Sequence, residues 1–316
     1  MPQTMKLKYC PLLCLWLIPF WIFAQTKKDS SVTLSRNISF DDNWYFVRDS
    51  LDGTERVNYD DSKWRKIYLP HDWSIEDLPN QIPDSIVGPF SKNSIGKTAT
   101  GYTVGETGWY RKKFITQQAE QNKIVTIYFD GVYMNTDVWL NGHHLGNHPY
   151  GYTPFYYDLA PYLNAAGQQN VLAVRVHNDG KNSRWYSGSG IYRHVKLTVT
   201  DPVHVTPWGV YITTPEVSGD KATVQIKTGI INQQPAASNI SAITTIISPE
   251  GKTIGSKQHN FTLDANASIT DEQIISVTNP ALWSVETPGL YKVVIEIKDG
   301  GKTLDRVETN FGIRSL

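Results

Sequence analysis

Cysteine is almost missing from these 316 residues. The only two, Cys10 and Cys14, lie near the start. That start reads as a secretory signal peptide over 1–24. Lys6 and Lys8 form a positive n-region, the stretch from Tyr9 to Phe23 is almost wholly apolar, and Ala24 offers a small residue for cleavage before Gln25. An uncleaved anchor is the alternative, but the run is short of the roughly 20 residues that cross a bilayer. Leu13, ahead of Cys14, is too bulky for a lipoprotein site. The expectation is an exported protein, periplasmic or extracellular, with no membrane attachment once the signal is removed. Both cysteines leave with the signal. That excludes disulfides, a thiol nucleophile and a cysteine-type zinc site from the mature chain.

Charge imbalance is also missing: 30 basic side chains meet 30 acidic ones. Nucleic-acid partners usually leave a basic cluster, so none is expected. Long helical periodicity is missing too, and one turn at 158–163, "DLAPYL", is the only helical candidate. What remains is all-β patterning. "KIVTIYFDGV" (123–132) and "NVLAVRVHN" (170–178) read as strands, the second with polar residues facing outward. "TDVWLNGHHLG" (136–146) runs into Asn141-Gly142, the strongest short hairpin signal.

The texture changes near "DPVHVTPW" (201–208). Six of the eight tryptophans beyond the leader lie between Trp44 and Trp185, and past Trp208 only Trp283 remains. The later strands are rich in Val, Ile and Thr: "ATVQIKTGI" (222–230), "AITTIIS" (242–248) and "YKVVIEI" (291–297), the last with Tyr291, Val293, Ile295 and Ile297 on one face. The expected domains are a jelly-roll β-sandwich over 25–203 and an immunoglobulin-like β-sandwich over 204–316.

Several catalytic and cofactor motifs fail on inspection. "RWYSGSGIYR" (184–193) carries Gly188 and Gly190, but Arg193 stands where a dinucleotide loop needs its third glycine, and a strand follows instead of a helix. "SGSGI" misses the nucleophile elbow by one residue. His143, His144 and His148 cluster, yet the first two point to opposite faces of a strand and no further ligand is evident. No cofactor and no metal are expected. The loop "HNDGKNSRWYSG" (177–188) is richer. Asn178, Asp179 and Arg184 offer hydrogen bonds and Trp185 a flat apolar face, the combination a sugar ring wants. A solvated loop with Asp179 in an Asx turn explains the same residues equally well.

Long stretches resemble the non-catalytic N-terminal part of family 2 glycoside hydrolases, the β-galactosidases, β-glucuronidases and β-mannosidases, and most of all the Bacteroides-type β-galactosidases. The resemblance rests on "FDDNWYFVRD" (40–49), "WRKIYLPHDW" (64–73), "GETGWYRKKF" (105–114), "FDGVYMNTDVWLNGHHLGNHPYGYTPFYYDL" (129–159), "RWYSGSGIYRHV" (184–195) and "NPALWSVETPGLYKVVIEI" (279–297) with "FGIRSL" (311–316). It implies a galactose-binding-like jelly roll, an immunoglobulin-like sandwich and then a catalytic TIM barrel of about 250 residues. The barrel and its two catalytic glutamates are expected to be absent from these residues, since the family's acid/base glutamate follows an asparagine and no Asn-Glu pair occurs. The resemblance implies that Asp179 reaches a sugar in the barrel's pocket. A second family contact, an asparagine, is unmatched: Gly105 stands near that place. The expected role is the non-catalytic portion of an exported glycosidase acting on terminal β-glycosides. The alternatives are a stand-alone carbohydrate-binding or scaffold module, and a subunit that docks on a separate barrel.

Overall fold

The computed structural model of the chain describes residues 36–78, 88–120, 122–178, 180–181 and 185–314. The leader expected over 1–24 lies outside the described residues. Ten strands build the first sandwich: β1 (Asn37–Ser39), β2 (Trp44–Arg48), β3 (Arg65–Ile67), β4 (Glu106–Ile115), β5 (Ile124–Phe129), β6 (Thr136–Leu140), β7 (His143–His148), β8 (Phe155–Asp158), β9 (Gln169–Asn178) and β10 (Val195–Thr200). They form a four-stranded sheet in the order β1-β10-β5-β8 and a six-stranded sheet in the order β3-β2-β4-β9-β6-β7. The chain crosses between the sheets repeatedly, which gives a jelly roll rather than a closed barrel.

Alternation drives this packing. On β5, Val125, Ile127 and Phe129 point inward. Leu172, Val174 and Val176 of β9 meet them from the other sheet, with Trp44 and Tyr110 filling the space between. Each such burial is worth about 1.5–3 kcal/mol. Asn141 and Gly142 both have positive φ, 51° and 83°, as the tight hairpin between β6 and β7 requires. The helical candidate at 158–163 is a 3-10 turn over Ala160–Tyr162.

One expectation needs correction. The outer face of β9 is polar only in part: Arg175 is exposed there, but Val171 and Ala173 on the same face are buried. The segment from Leu51 to Asp61 is bonded to the neighbouring strand β4. Its anchor is Arg111 of β4, fully buried, whose Nε donates to Asp61 Oδ2 at 2.9 Å. Its other guanidinium nitrogens donate to the carbonyls of Thr54, Arg56 and Val57.

After Asp201-Pro202 the second sandwich begins: β11 (Val203–Val217), β12 (Lys221–Asn232), β13 (Ser238–Ile247), β14 (Thr253–Leu263), β15 (Ser268–Thr278), β16 (Tyr291–Asp299) and β17 (Lys302–Phe311). The sheets run β11-β12-β15 and β14-β13-β16-β17. β12 alternates buried and open positions along nearly its whole length. Tyr291, Val293, Ile295 and Ile297 share the buried face of β16, as their spacing predicts. Arg36, just ahead of β1, reaches across to this sandwich. It pairs with Asp305 and donates to Val205 O at 2.8 Å.

Candidate functional site

The segment 187–191 is a fixed shelf. Ser189 N and Ser74 N both donate to Asp72 Oδ1 at 2.8 Å. Trp73 N donates to Ser189 O at 3.0 Å and His71 N to Ile191 O at 2.8 Å. On the other side Gly190 and Tyr133 exchange backbone hydrogen bonds. "HDWS" (71–74) and "SGSGI" (187–191) are therefore one structural unit assembled from distant sequence. Sequence reading missed Asp72. Its signal is the Asp-x-Ser pattern at the start of a short helical turn, where the carboxylate caps Ser74 N.

Asn178, at the end of β9, is only 2% exposed. Its Nδ2 donates to Ser189 Oγ at 2.7 Å and Gly188 O at 3.2 Å, and its Oδ1 accepts from Gly180 N at 3.1 Å. The structure thus places Asn178 beneath the loop as a positioning residue. Gly105 lies directly against it: a Cβ there would sit 2.6 Å from Asn178 O. In this backbone, no side chain fits at the place where the family's second sugar contact was sought.

Of the four residues named from sequence, Asp179 and Arg184 lie outside the described residues. Trp185 is 58% exposed and its Nε1 donates to Tyr152 Oη at 2.6 Å. Tyr152 in turn packs against Tyr133 and Tyr150, with ring centroids 5.2 and 5.6 Å away. Tyr186 stands over Gly101. The loop therefore enters a surface of open rings, Tyr150, Tyr152, Trp185 and Tyr186. Sequence reading found Trp185 but not its tyrosine partners, which come from the "YGYTPF" segment (150–155).

Electrostatics beneath the shelf centre on His71. Its Nδ1 lies 2.7 Å from Tyr110 Oη and its Nε2 3.0 Å from Glu76 Oε1. Burial holds the imidazole below its usual range, although Glu76 opposes this. Burial pushes Tyr110 well up. For Glu76, burial alone would raise the carboxyl, but Arg65 and His71 together hold it down. As pH falls through about 6.5 the unfolded imidazole gains its proton before the folded one does. The unfolded state then binds more protons, so stability falls with pH. His204, also lowered by burial, adds to this slope. Urea midpoints at pH 7.5 and 5.5 should therefore differ less in His71→Gln than in the unaltered chain. Equal differences would remove His71 from the account.

The other histidines have separate partners. His143 stacks on Tyr162, His148 on Phe155, and His144 Nε2 lies 2.9 Å from Asp137 Oδ1. Among the described residues no group of three or more His, Cys, Asp or Glu is placed to hold a metal ion.

Comparison with known proteins follows this geometry closely. Residues 37–202 match the sugar binding domain of glycosyl hydrolases family 2, and residues 203–314 match glycosyl hydrolases family 2. A beta-galactosidase of Bacteroides ovatus is 38% identical over 289 residues, 91% of this chain and 32% of its own length. A putative beta-glucuronidase of Formosa agariphila is 36% identical over 279 residues, 88% of this chain and 25% of its own. A solved glycosyl hydrolase family 2 member from Bacteroides cellulosilyticus aligns with a TM-score of 0.84 at 41% identity, over 89% of this chain and 35% of that one. The chain spans about a third or less of the length of these two curated relatives.

Proposed function

Because this chain belongs to glycosyl hydrolases family 2, we propose that its two sandwiches serve as the non-catalytic amino-terminal portion of an exported glycosidase, β-galactosidase-like in its choice of substrate. In this reading the portion acts with a catalytic TIM barrel on terminal β-glycosides. The observation that carries it is the pair of family matches, which adjoin at residues 202 and 203 and together take in both sandwiches. Export is proposed from the apolar leader and its small residue at Ala24.

Asp179 and Arg184 supply hydrogen bonds to the sugar in this proposal, Trp185 an apolar face, and Asn178 the shape of the loop. The shelf below supports this division, since it fixes both ends of the loop while leaving the rings open. Four exposed aromatics on one edge exceed what scattered surface residues explain. They favour a face that meets another protein surface, the barrel, over a stand-alone binding module.

The 316-residue chain alone should show no turnover of chromogenic β-galactosides or β-glucuronides. Clean protein that hydrolyses either one would overturn the proposal. In a protein carrying these sandwiches together with their barrel, Asp179→Ala should lower kcat/KM roughly ten- to a hundredfold. That matches the roughly 1.5–3 kcal/mol of a hydrogen bond to a charged group. An unchanged kcat/KM would remove Asp179 from the site.

A further inference from the structure

A groove of about 330 Å³ opens where the two sandwiches meet. Its floor is the outward face of the β1-β10-β5-β8 sheet, with Thr126, Tyr128, Tyr156 and Thr198. Its wall is the turn Thr206–Gly209 of the second sandwich. Of the described residues in 178–185, none lines it.

The wall is built in an unusual way. β11 pairs regularly with β12 up to Val205 opposite Ile230, and again from Val210 opposite Thr228, so the four residues between them bulge out. Bulges of this kind re-aim a side chain. Here the side chain is Trp208, whose backbone is held at φ 53°, a region that bulky residues avoid. Gly209 makes the bulge possible, because a Cβ there would lie 2.8 Å from Thr206 O. The Trp208 ring reaches across to the first sandwich. Its centroid is 5.1 Å from Tyr156 and 6.1 Å from Tyr128, steeply inclined to both.

Folding alone does not account for this. A ring that served only to glue two domains would be buried, yet Trp208 is 60% exposed and Tyr156 40% exposed. The junction has other bonds: Arg36 to Asp305 and to Val205 O, and Lys123 to Asp201 at 2.8 Å. The groove carries one cation beyond its ion pairs, the exposed Lys196 of β10; its other charges are paired. Asp130, which accepts from Tyr128 Oη at 3.3 Å, is paired with Arg193 at 2.9 Å, and Arg36 is paired with Asp305. What the groove presents is one open indole, two phenols, the hydroxyls of Thr126, Thr198, Thr206 and Thr309, and a single Lys196 ammonium that can donate to a sugar hydroxyl. Flat apolar faces beside hydroxyls, with little net charge, match a neutral pyranose: axial C–H bonds lie against the ring and equatorial hydroxyls meet the rim.

We propose that this groove is a second carbohydrate-binding site, taking a neutral oligosaccharide of equatorially linked β-pyranoses with one ring stacked on Trp208. The site would hold a polymeric or branched substrate by a stretch of chain remote from the bond being cut.

The 316-residue chain, titrated with cellotetraose, xylotetraose and β-1,3-linked laminaritetraose at millimolar concentration, tests this by tryptophan fluorescence and saturation-transfer NMR. At least one sugar should bind saturably. Trp208→Ala should weaken it about tenfold or more, which is a matter of about 1.4 kcal/mol. Tyr156→Ala should weaken it less, and Tyr68→Ala, an exposed ring away from the groove, should leave it unchanged. Thermal unfolding of each variant checks that the fold is intact. Absence of binding by all three sugars overturns the proposal, as does equal affinity in Trp208→Ala. Binding lost in Trp185→Ala and kept in Trp208→Ala also overturns it, and assigns the sugar to the loop at 178–185. A chain that runs as a dimer which Trp208→Ala dissociates overturns it in favour of a second copy of this chain.

Discussion

Replacing Arg111 by alanine should lower the free energy of unfolding by about 3–5 kcal/mol, the cost of leaving the other half of a buried ion pair uncompensated. Arg111 is fully buried in the middle of β4, and Asp61 lies 2.9 Å from its Nε. Burial by itself would raise the Asp61 carboxyl, yet Lys113 and Arg111 together hold it below its usual range, so it stays charged in the folded chain. Lys113 Nζ still reaches Asp61 Oδ1 at 2.6 Å, but Oδ2 loses its partner. The same truncation strands the carbonyls of Thr54, Arg56 and Val57, which accept from the guanidinium. Urea unfolding followed by tryptophan fluorescence should show a lower midpoint with a similar slope. Pairing Arg111→Met with Asp61→Leu should cost clearly less than the two single changes added together, because the only charge it leaves without a partner is Lys113, which reaches solvent. A loss below about 1 kcal/mol in Arg111→Ala would mean that the segment from Leu51 to Asp61 relaxes and readmits water. The consequence reaches the site. β4 and β9 carry Gly105 and Asn178 at the same end of the sheet, and the segment bonded to β4 stiffens that strand.

How much of this was legible in the sequence depended on the range of the interaction. Asn141-Gly142 announced its hairpin because both residues must take positive φ, a demand met locally. β12 and β16 announced themselves because one face of each is buried and the other is wet, so alternation survives in the letters. β9 did so only in part: Arg175 faces outward as the letters suggest, but Val171 and Ala173 on the same face are buried, and no pattern within 170–178 records that burial. The site followed the same rule. Trp185 was visible as an aromatic in a polar loop. Asn178 was visible as a polar residue, but its burial depends on Ser189 and Gly105, one far upstream and the other beyond the loop. Asp72 binds across more than a hundred residues to Ser189 N, and nothing near "HDW" foretells that partner. Trp208 looked like one more tryptophan near a boundary. Its exposure follows from a bulge in strand pairing, which exists only once β11 has found β12.

Gly190→Ala should be the most damaging single methyl group in the first sandwich. Gly190 has φ 127°, a conformation that L side chains rarely adopt, and strain of this kind costs about 1–3 kcal/mol. The added Cβ would also press on Tyr110 Oη and lie 2.7 Å from His71 O. Neither neighbour can withdraw easily. Tyr110 is fully buried and bonded to His71, and the backbone at His71 is tied to Ile191 O. Overpacking adds about 1–3 kcal/mol more, so about 3–5 kcal/mol in all is expected. Gly188→Ala should cost less, about 1–3 kcal/mol, because its backbone is ordinary and its Cβ meets only the Asp72 carboxylate. That carboxylate can tilt, but only by loosening its bonds to Ser74 N and Ser189 N. Gly219, in the open turn before β12, has nothing within 4 Å of its Cβ position. Gly219→Ala should be neutral or stabilising by about 0.4–1 kcal/mol, through the unfolded chain alone. Midpoints of urea unfolding should therefore fall in the order Gly219, Gly188, Gly190. If Gly188→Ala proved as harmful as Gly190→Ala, the shelf would be rigid through the Asp72 carboxylate as much as through its backbone. If both were harmless, the segment 187–191 would not be the fixed support on which the loop at 178–185 stands, and the geometry assigned to Asn178 would fall with it.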